Sequence, residues 1–298
     1  MLTKLVKIKL SILLVILVSA SLSPISVYAE TEAQNKEATI NPLFALTIVT
    51  VFDLADLGRL TGGFIEIGQT GIYSTERSYK KNGVELQLIG MAHVAEKEFY
   101  EDIKKSLLGR QALMLMEGVT DENKLLTTPP DYGGLAKKLG GENQKDIFSP
   151  KDMPENVKLI RADLDTSDFS QPTIKLLNLA GRVHTKEGFN FSALLMMYFS
   201  LTDMDTDKQI MDDLIQKRNA CLISHLQKSI TSNKLILVPW GALHLPEIEK
   251  WALTNGFKLA GQKHRVIFRF PAYFKYLLSD RKEIKNGSDA LNLLESKN

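Results

Sequence analysis

The sequence predicts a mixed α/β fold: a central, mostly parallel sheet, an antiparallel hairpin and a helical cap. Three observations predict it. Two stretches of the 298-residue chain repeat one pattern, in which an apolar run is followed by Gly-x-x-His, an amphipathic helix and a second apolar run. An Asn-Gly pair sits between two strand-like runs, the strongest short hairpin signal. Residues 171–231 carry helical periodicity and form a candidate layer or cap over the sheet.

The chain opens like a secretory signal. Lys4, Lys7 and Lys9 precede the apolar run Leu10 to Val18, and Val27-Tyr28-Ala29 supplies a cleavage site. Cleavage there leaves residues 30–298 in an extracytoplasmic compartment, secreted or periplasmic. An uncleaved segment would instead anchor the chain beside a membrane. Loss of the three lysines takes the formal net charge from +2 to −1, and no basic block follows. The composition therefore gives no support for nucleic-acid binding. Cys221 is the only cysteine, which excludes an intrachain disulfide and a cysteine-based zinc site.

Residues 30–40 read as a polar linker. Asn41 to Leu60 is apolar but interrupted by Asp53, Asp56 and Arg59, too charged for a spanning helix, and reads as a core-docking helix. Ile72 to Tyr79 and Val84 to Ile89 flank Lys80-Lys81-Asn82-Gly83 as a hairpin. Gly90-Met91-Ala92-His93 follows, then a helix over Glu96 to Leu108 and a strand over Ala112 to Met116. That strand ends at Glu117, an acid poorly explained as solvated surface, although a cap or turn role is also open. Thr120 to Pro150 is broken by Pro129-Pro130, Gly133-Gly134 and Gly140-Gly141, and reads as a lid with a short helix.

Val157 to Ile160 is another short strand, and Asp163 stands just past it, at a site or as a turn residue. Pro172 to Arg182 and Phe189 to Leu201 read as helices, the second apolar all round through Met196, Met197, Tyr198 and Phe199. A long helix spans Asp205 to Ser229. Arg218 falls on its apolar stripe between Leu214 and Leu222. A buried arginine needs a carboxylate or ligand partner, and one at the stripe's edge snorkels. The second repeat begins with Leu235 to Trp240. Gly241 to His244 restates the turn, Pro246 and Glu247 open a helix that stops at Asn255-Gly256, and His264 to Phe270 closes the unit.

Both turns put a histidine between a strand's carboxyl end and a helix N-terminus, where open α/β sheets bind ligands. Unpaired N–H groups and the helix dipole disfavour positive charge there, so the imidazole stays neutral, able to take a proton or bind a metal. His184, His225 and His264 lack such a setting; His225 reads as structural, and His184 and His264 as ordinary polar residues. Residues 41–278 form a single expected domain, with a short helix at Pro271 to Leu278 and a polar tail at 279–298.

Four pieces carry a family resemblance: LIGMAHVAEKEFY, LMLMEGV, QKRNACLISHL and LVPWGALHLPEIEKWALTNGFKL. In that order, over roughly Gly68 to Phe270, the chain resembles the TraB/PrgY/GumN family, whose relatives include the TIKI metalloproteases. The erythromycin-esterase and ChaN-like proteins have a similar core. The resemblance implies a divalent-metal-dependent hydrolase acting on peptides, with its site at His93, Glu117, Arg218, Asn219 and His244. Asp163 is included for its place at a strand end. Trp240 before Gly241, and Leu245-Pro246 after the second turn, depart from the family's smaller residues and would narrow the pocket.

Three functions stand open. In a metallohydrolase, His93, His244 and Glu117 hold Mn²⁺, Co²⁺ or Zn²⁺ and leave a position for water, while Arg218 holds a substrate carboxylate or the oxyanion. Asn219 and Asp163 bind the peptide or small-ester substrate. In a metal-free esterase-like hydrolase, a histidine is the general base; no Gly-x-Ser-x-Gly elbow is present. In a binding protein, the same cleft captures a peptide or other ligand without turnover.

Overall fold

The computed structural model describes residues 58–68, 70–185, 188–189 and 204–270. The expected signal segment, the linker, residues 41–57, most of the apolar stretch to Leu201, and residues 271–298 lie outside them. Strand β1 (Ile65–Gly68) leads into β2 (Gly71–Lys81) and β3 (Val84–Met91). Next come β4 (Val94–Ala95), α1 (Lys97–Ser106) and β5 (Ala112–Met116). The expected lid holds α2 (Gly133–Leu139), β6 (Glu142–Asn143) and α3 (Gln144–Ile147). Strand β7 (Val157–Arg161), helix α4 (Gln171–Val183), β8 (His184–Thr185) and β9 (Gly188–Phe189) follow. Helix α5 (Met204–Met211), a π-helical turn (Asp212–Lys217) and α6 (Arg218–Ser229) form the long helical stretch. The chain then makes β10 (Leu235–Gly241), α7 (Leu245–Thr254) and β11 (Lys258–Arg269).

The fold class agrees with the sequence: a mostly parallel sheet, an antiparallel pair and flanking helices. Four strands run parallel in the order β3-β10-β5-β7. The hairpin β2-β3 is antiparallel and turns at Asn82-Gly83 with φ of 48° and 79°, left-handed values that asparagine tolerates and glycine takes at no steric cost. The two repeated units differ in outcome. The first supplies two parallel strands, whereas β11, expected as the matching partner in the second, pairs antiparallel with β2. It is also longer than the apolar run, beginning at Lys258 with seven exposed residues, because an edge strand can extend without an apolar sequence.

Alternation along the strands divides the core between the two faces of the sheet. Leu86, Leu88, Ile236, Val238 and Trp240 pack with Leu222 and Leu226 of α6 and Ile248 of α7. Ile89, Met91, Leu237 and Met114 pack with Phe99, Tyr100 and Ile103 of α1 and with Leu139 and Phe148 of the lid. Strands covered on both faces read as continuous apolar runs, which is why LILVPW shows no polar alternation. The lid is tied down from the other side by Asn178 of α4, whose Oδ1 accepts from Thr127 N and Thr128 N. No helix among the described residues is long and apolar enough to cross a membrane.

Pro239 opens the sheet where the site lies. The β10–β5 ladder registers only Ile236 with Leu113 and Leu237 with Met114. Main-chain donors of alternate residues in a strand point to the same side. Gly241 N points toward the β5 side, where it meets Glu117, so the N–H that Pro239 lacks is missing from that side too. The indole N–H of Trp240 fills part of the break by donating to Leu115 O at 3.0 Å.

Candidate active site

Four strand ends converge on one place. His93 follows β3, His244 follows β10, Glu117 follows β5 and Asp163 follows β7. Since Gly241 pairs with Met91, the two histidine turns leave the sheet side by side. Each glycine has a steric reason. A Cβ at Gly90 would lie 2.9 Å from Phe64 O, and one at Gly241 would lie 3.4 Å from Glu117 Oε2 and 3.7 Å from His244 Cδ2, filling the space between the two side chains.

Arg218, the first residue of α6, joins them. Its Nε donates to Asp163 Oδ1 at 2.9 Å, and its Nη2 to Asp163 Oδ2 and Glu117 Oε1, both at 2.7 Å. Its Nη1 lies 3.2 Å from His244 Nε2. A guanidinium has five N–H donors, so this arrangement leaves one for a substrate. One donor suits a developing oxyanion, whereas a bidentate grip on a carboxylate needs two. Burial works against the charge of Arg218, but Asp163 and Glu117 outweigh it and hold the guanidinium firmly protonated. The group also lies 5.4 Å from the centroid of the Trp240 ring, a cation–π contact beneath the cluster. Trp240 is therefore a floor for Arg218 and His244.

The π-helical turn ends at Lys217, immediately before Arg218. It is anchored by buried Asp213, which accepts from Ser170 N, Ser170 Oγ and Thr173 Oγ1 and pairs with Lys217. Burial disfavours the Asp213 carboxylate, but these donors hold it down to about 2. A π-turn shifts the helical register, so the stripe drawn with regular α periodicity through Leu214 and Arg218 is broken: Asp213 and Asn219 are buried, while Leu214 and Arg218 are intermediate.

His244 caps the N-terminus of α7 and is 4% exposed. Its Nδ1 lies 2.8 Å from Asn219 Oδ1. Burial and the Arg218 charge outweigh the pull of Glu117 and Asp163, and bring its pKa down to about 4, so the ring is neutral at pH 7. For Glu117, burial opposes ionisation. The charge of Arg218 leads the groups that outweigh it, and the N–H of Gly241, at 2.6 Å from Oε2, helps to hold the carboxyl below the usual range.

The two residues expected to bind substrate, Asn219 and Asp163, are buried and bonded to other residues of the cluster. Asn219 is 0% exposed, with Oδ1 on His244 and Nδ2 on Glu247 Oε2 at 2.7 Å. Asp163 has a fully buried side chain and also accepts from Gly118 N and Leu164 N. Both hold other site residues, since no face of either is open to a ligand.

His93 is exposed at the rim and stacks on Tyr132, centroids 4.8 Å apart and planes 8° apart. Tyr132 was missed in the sequence because it lies in the polar lid, just before α2. Burial and the Glu117 charge push its hydroxyl up to about 12, so it stays protonated. Glu247 was also missed, read only as an acid in a helix's first turn. Leu243, 50% exposed in the second histidine turn, adds an apolar rim residue.

In donor type and charge the cluster fits a cation. Glu117 and Asp163 carry two negative charges against the one positive charge of Arg218. Glu117 Oε1 and His244 Nε2 are 3.7 Å apart, a span that two ligands of one ion at about 2.0–2.2 Å can bridge. Among the described residues, no three His, Cys, Asp or Glu side chains are already gathered as a metal site. Comparisons with protein families, with curated proteins and with solved structures find no match for this chain.

Proposed function

We propose that this cluster is the centre of an extracytoplasmic hydrolase that cleaves amide or ester bonds of a peptide or small ester. The observation that carries the reading is the buried pair of carboxylates exceeding its arginine by one charge, beside a neutral imidazole and under an exposed one. The ordered motifs that resemble the TraB/PrgY/GumN family support it, and the signal-like N-terminus supports the compartment.

The residues that would hold a divalent ion, Mn²⁺, Co²⁺ or Zn²⁺, are Glu117, His244 and His93. Such an ion acidifies bound water and polarises a carbonyl. The protein's own groups act around it. Asp163 and Glu117 hold Arg218, whose remaining N–H faces developing negative charge. Tyr132 stacks on His93 and limits where that ring can turn. Gly241 keeps side-chain atoms out of the gap between Glu117 and His244.

The bond between Arg218 Nη1 and His244 Nε2 favours a second reading, because it occupies the lone pair that a metal would use. There hydrolysis is metal-free and His93, open to solvent, is the general base.

One experiment decides between them. The protein comprising residues 30–298 is melted with and without each metal, beside His93→Ala. A ligand binding only the native state at a hundred times its dissociation constant stabilises by about 2.7 kcal/mol. At roughly 2–4 °C per kcal/mol for a large domain, that moves the melting point by about 5–11 °C. The metallohydrolase reading expects this shift in the wild type, its loss in His93→Ala, and loss of hydrolysis in His244→Ala with the fold retained. Hydrolysis that survives exhaustive chelation supports the metal-free reading. Full activity in His244→Ala overturns the metallohydrolase.

A further inference from the structure

We infer that Glu247 is a positioning residue: acting through the Asn219 amide, it fixes His244 in the tautomer whose bare nitrogen faces Arg218 and Glu117. The inference uses the hydrolase reading only for its kinetic arm.

The chain of partners is short and each has a defined polarity. Glu247 lies in the first turn of α7, three residues after His244. A carboxylate oxygen only accepts, so the contact at 2.7 Å between Glu247 Oε2 and the side chain of Asn219 must come from the amide NH₂. That choice turns Oδ1 of Asn219 toward His244 Nδ1, 2.8 Å away. An amide oxygen also only accepts, so Nδ1 must carry the proton. Nε2 is then left with its lone pair. Arg218 reaches the same assignment from the other side, because its Nη1 at 3.2 Å can only donate.

Without an acceptor at Glu247, the two ends of the Asn219 amide have nothing to tell them apart on that side. An amide turned end for end would present NH₂ to Nδ1 and favour the proton on Nε2. That proton would point at the Arg218 N–H. Asn219 is 0% exposed, so solvent does not readily make up the missing partner. Partners that orient a metal-ligating histidine in this indirect way typically matter by about 10–100-fold in metal affinity or activity.

The test is Glu247→Gln in the full protein. Glutamine offers both a donor and an acceptor, so either amide orientation is satisfied. The imidazole nitrogens of ¹⁵N-histidine-labelled protein are read by NMR, with His244 assigned by its absence in His244→Gln. The wild type is expected to show a protonated Nδ1 and a bare Nε2. In Glu247→Gln both resonances should move toward each other as the second tautomer is populated, and hydrolysis should fall about 10–100-fold. Glu249→Gln, on the same helix but bonded to Arg77 and Tyr79, is the control and should leave the His244 resonances in place. Glu247→Ala removes the acceptor without adding a donor and serves where the glutamine variant fails to fold. Wild-type His244 resonances in a folded Glu247 variant overturn the proposal whatever the activity. An inactive wild type overturns the hydrolase reading while the resonances still decide the role of Glu247.

Discussion

Arg218→Met is expected to lower the unfolding free energy by about 3–5 kcal/mol at pH 7, the usual cost of removing one partner from a buried ion pair. The Arg218 side chain is 11% exposed and that of Asp163 is fully buried. Methionine replaces most of the arginine's volume, so the loss reflects charge more than cavity. What remains is two carboxylates facing each other, with the N–H groups of Gly118, Leu164 and Gly241 but no cation. Urea unfolding measures the loss. Asp163→Asn in the same background should recover part of it, since the repulsion then disappears. A loss below about 1 kcal/mol would mean that the pair behaves like an exposed one, and the account of the cluster fails.

Acid should destabilise the protein through His244 before the carboxylates titrate. The folded pKa of about 4 lies below the ordinary histidine value of 6.5. As pH falls below 6.5 the unfolded chain takes up a proton that the folded chain refuses, so each step down favours unfolding. The contribution is fully present above pH 6.5 and lost on the way to about pH 4. The displacement corresponds to about 3 kcal/mol. Glu117 is depressed as well, so its contribution is lost in the same direction at lower pH. Urea midpoints of chelator-treated protein at pH 7, 5.5 and 4.5 measure the slope. His244→Gln should flatten it over this window. An equal slope in the variant would place the acid sensitivity elsewhere.

Much of the site was legible because its residues sit at strand ends that the sequence marks. The runs before Glu117 and before Gly241 are apolar and sharply ended, and the two Gly-x-x-His turns announce matching positions. The roles were less legible. Whether Asp163 and Asn219 meet a substrate or a neighbour depends on which strand lies beside which, and sequence order does not state that β10 enters between β3 and β5. The π-turn was hidden because Asp212 to Lys217 continues an acceptable helical pattern. The expected match between the two units failed at β11, where pairing with β2 left an outer edge that tolerates Lys258, Gln262 and Lys263.

The strand at the middle of the sheet is among the last to be made. Until residues 235–241 are in place, β3 and β5 each have an unfilled edge, and the slot between them is lined by apolar side chains. Pairings between residues so far apart in the chain form slowly, and open strand edges invite association with other chains. A chain truncated before Leu235 would carry His93, Glu117 and Arg218, yet lack both the second histidine and the keystone of the sheet. Its fate should be aggregation or proteolysis rather than partial function, so a closed sheet depends on the chain's last quarter.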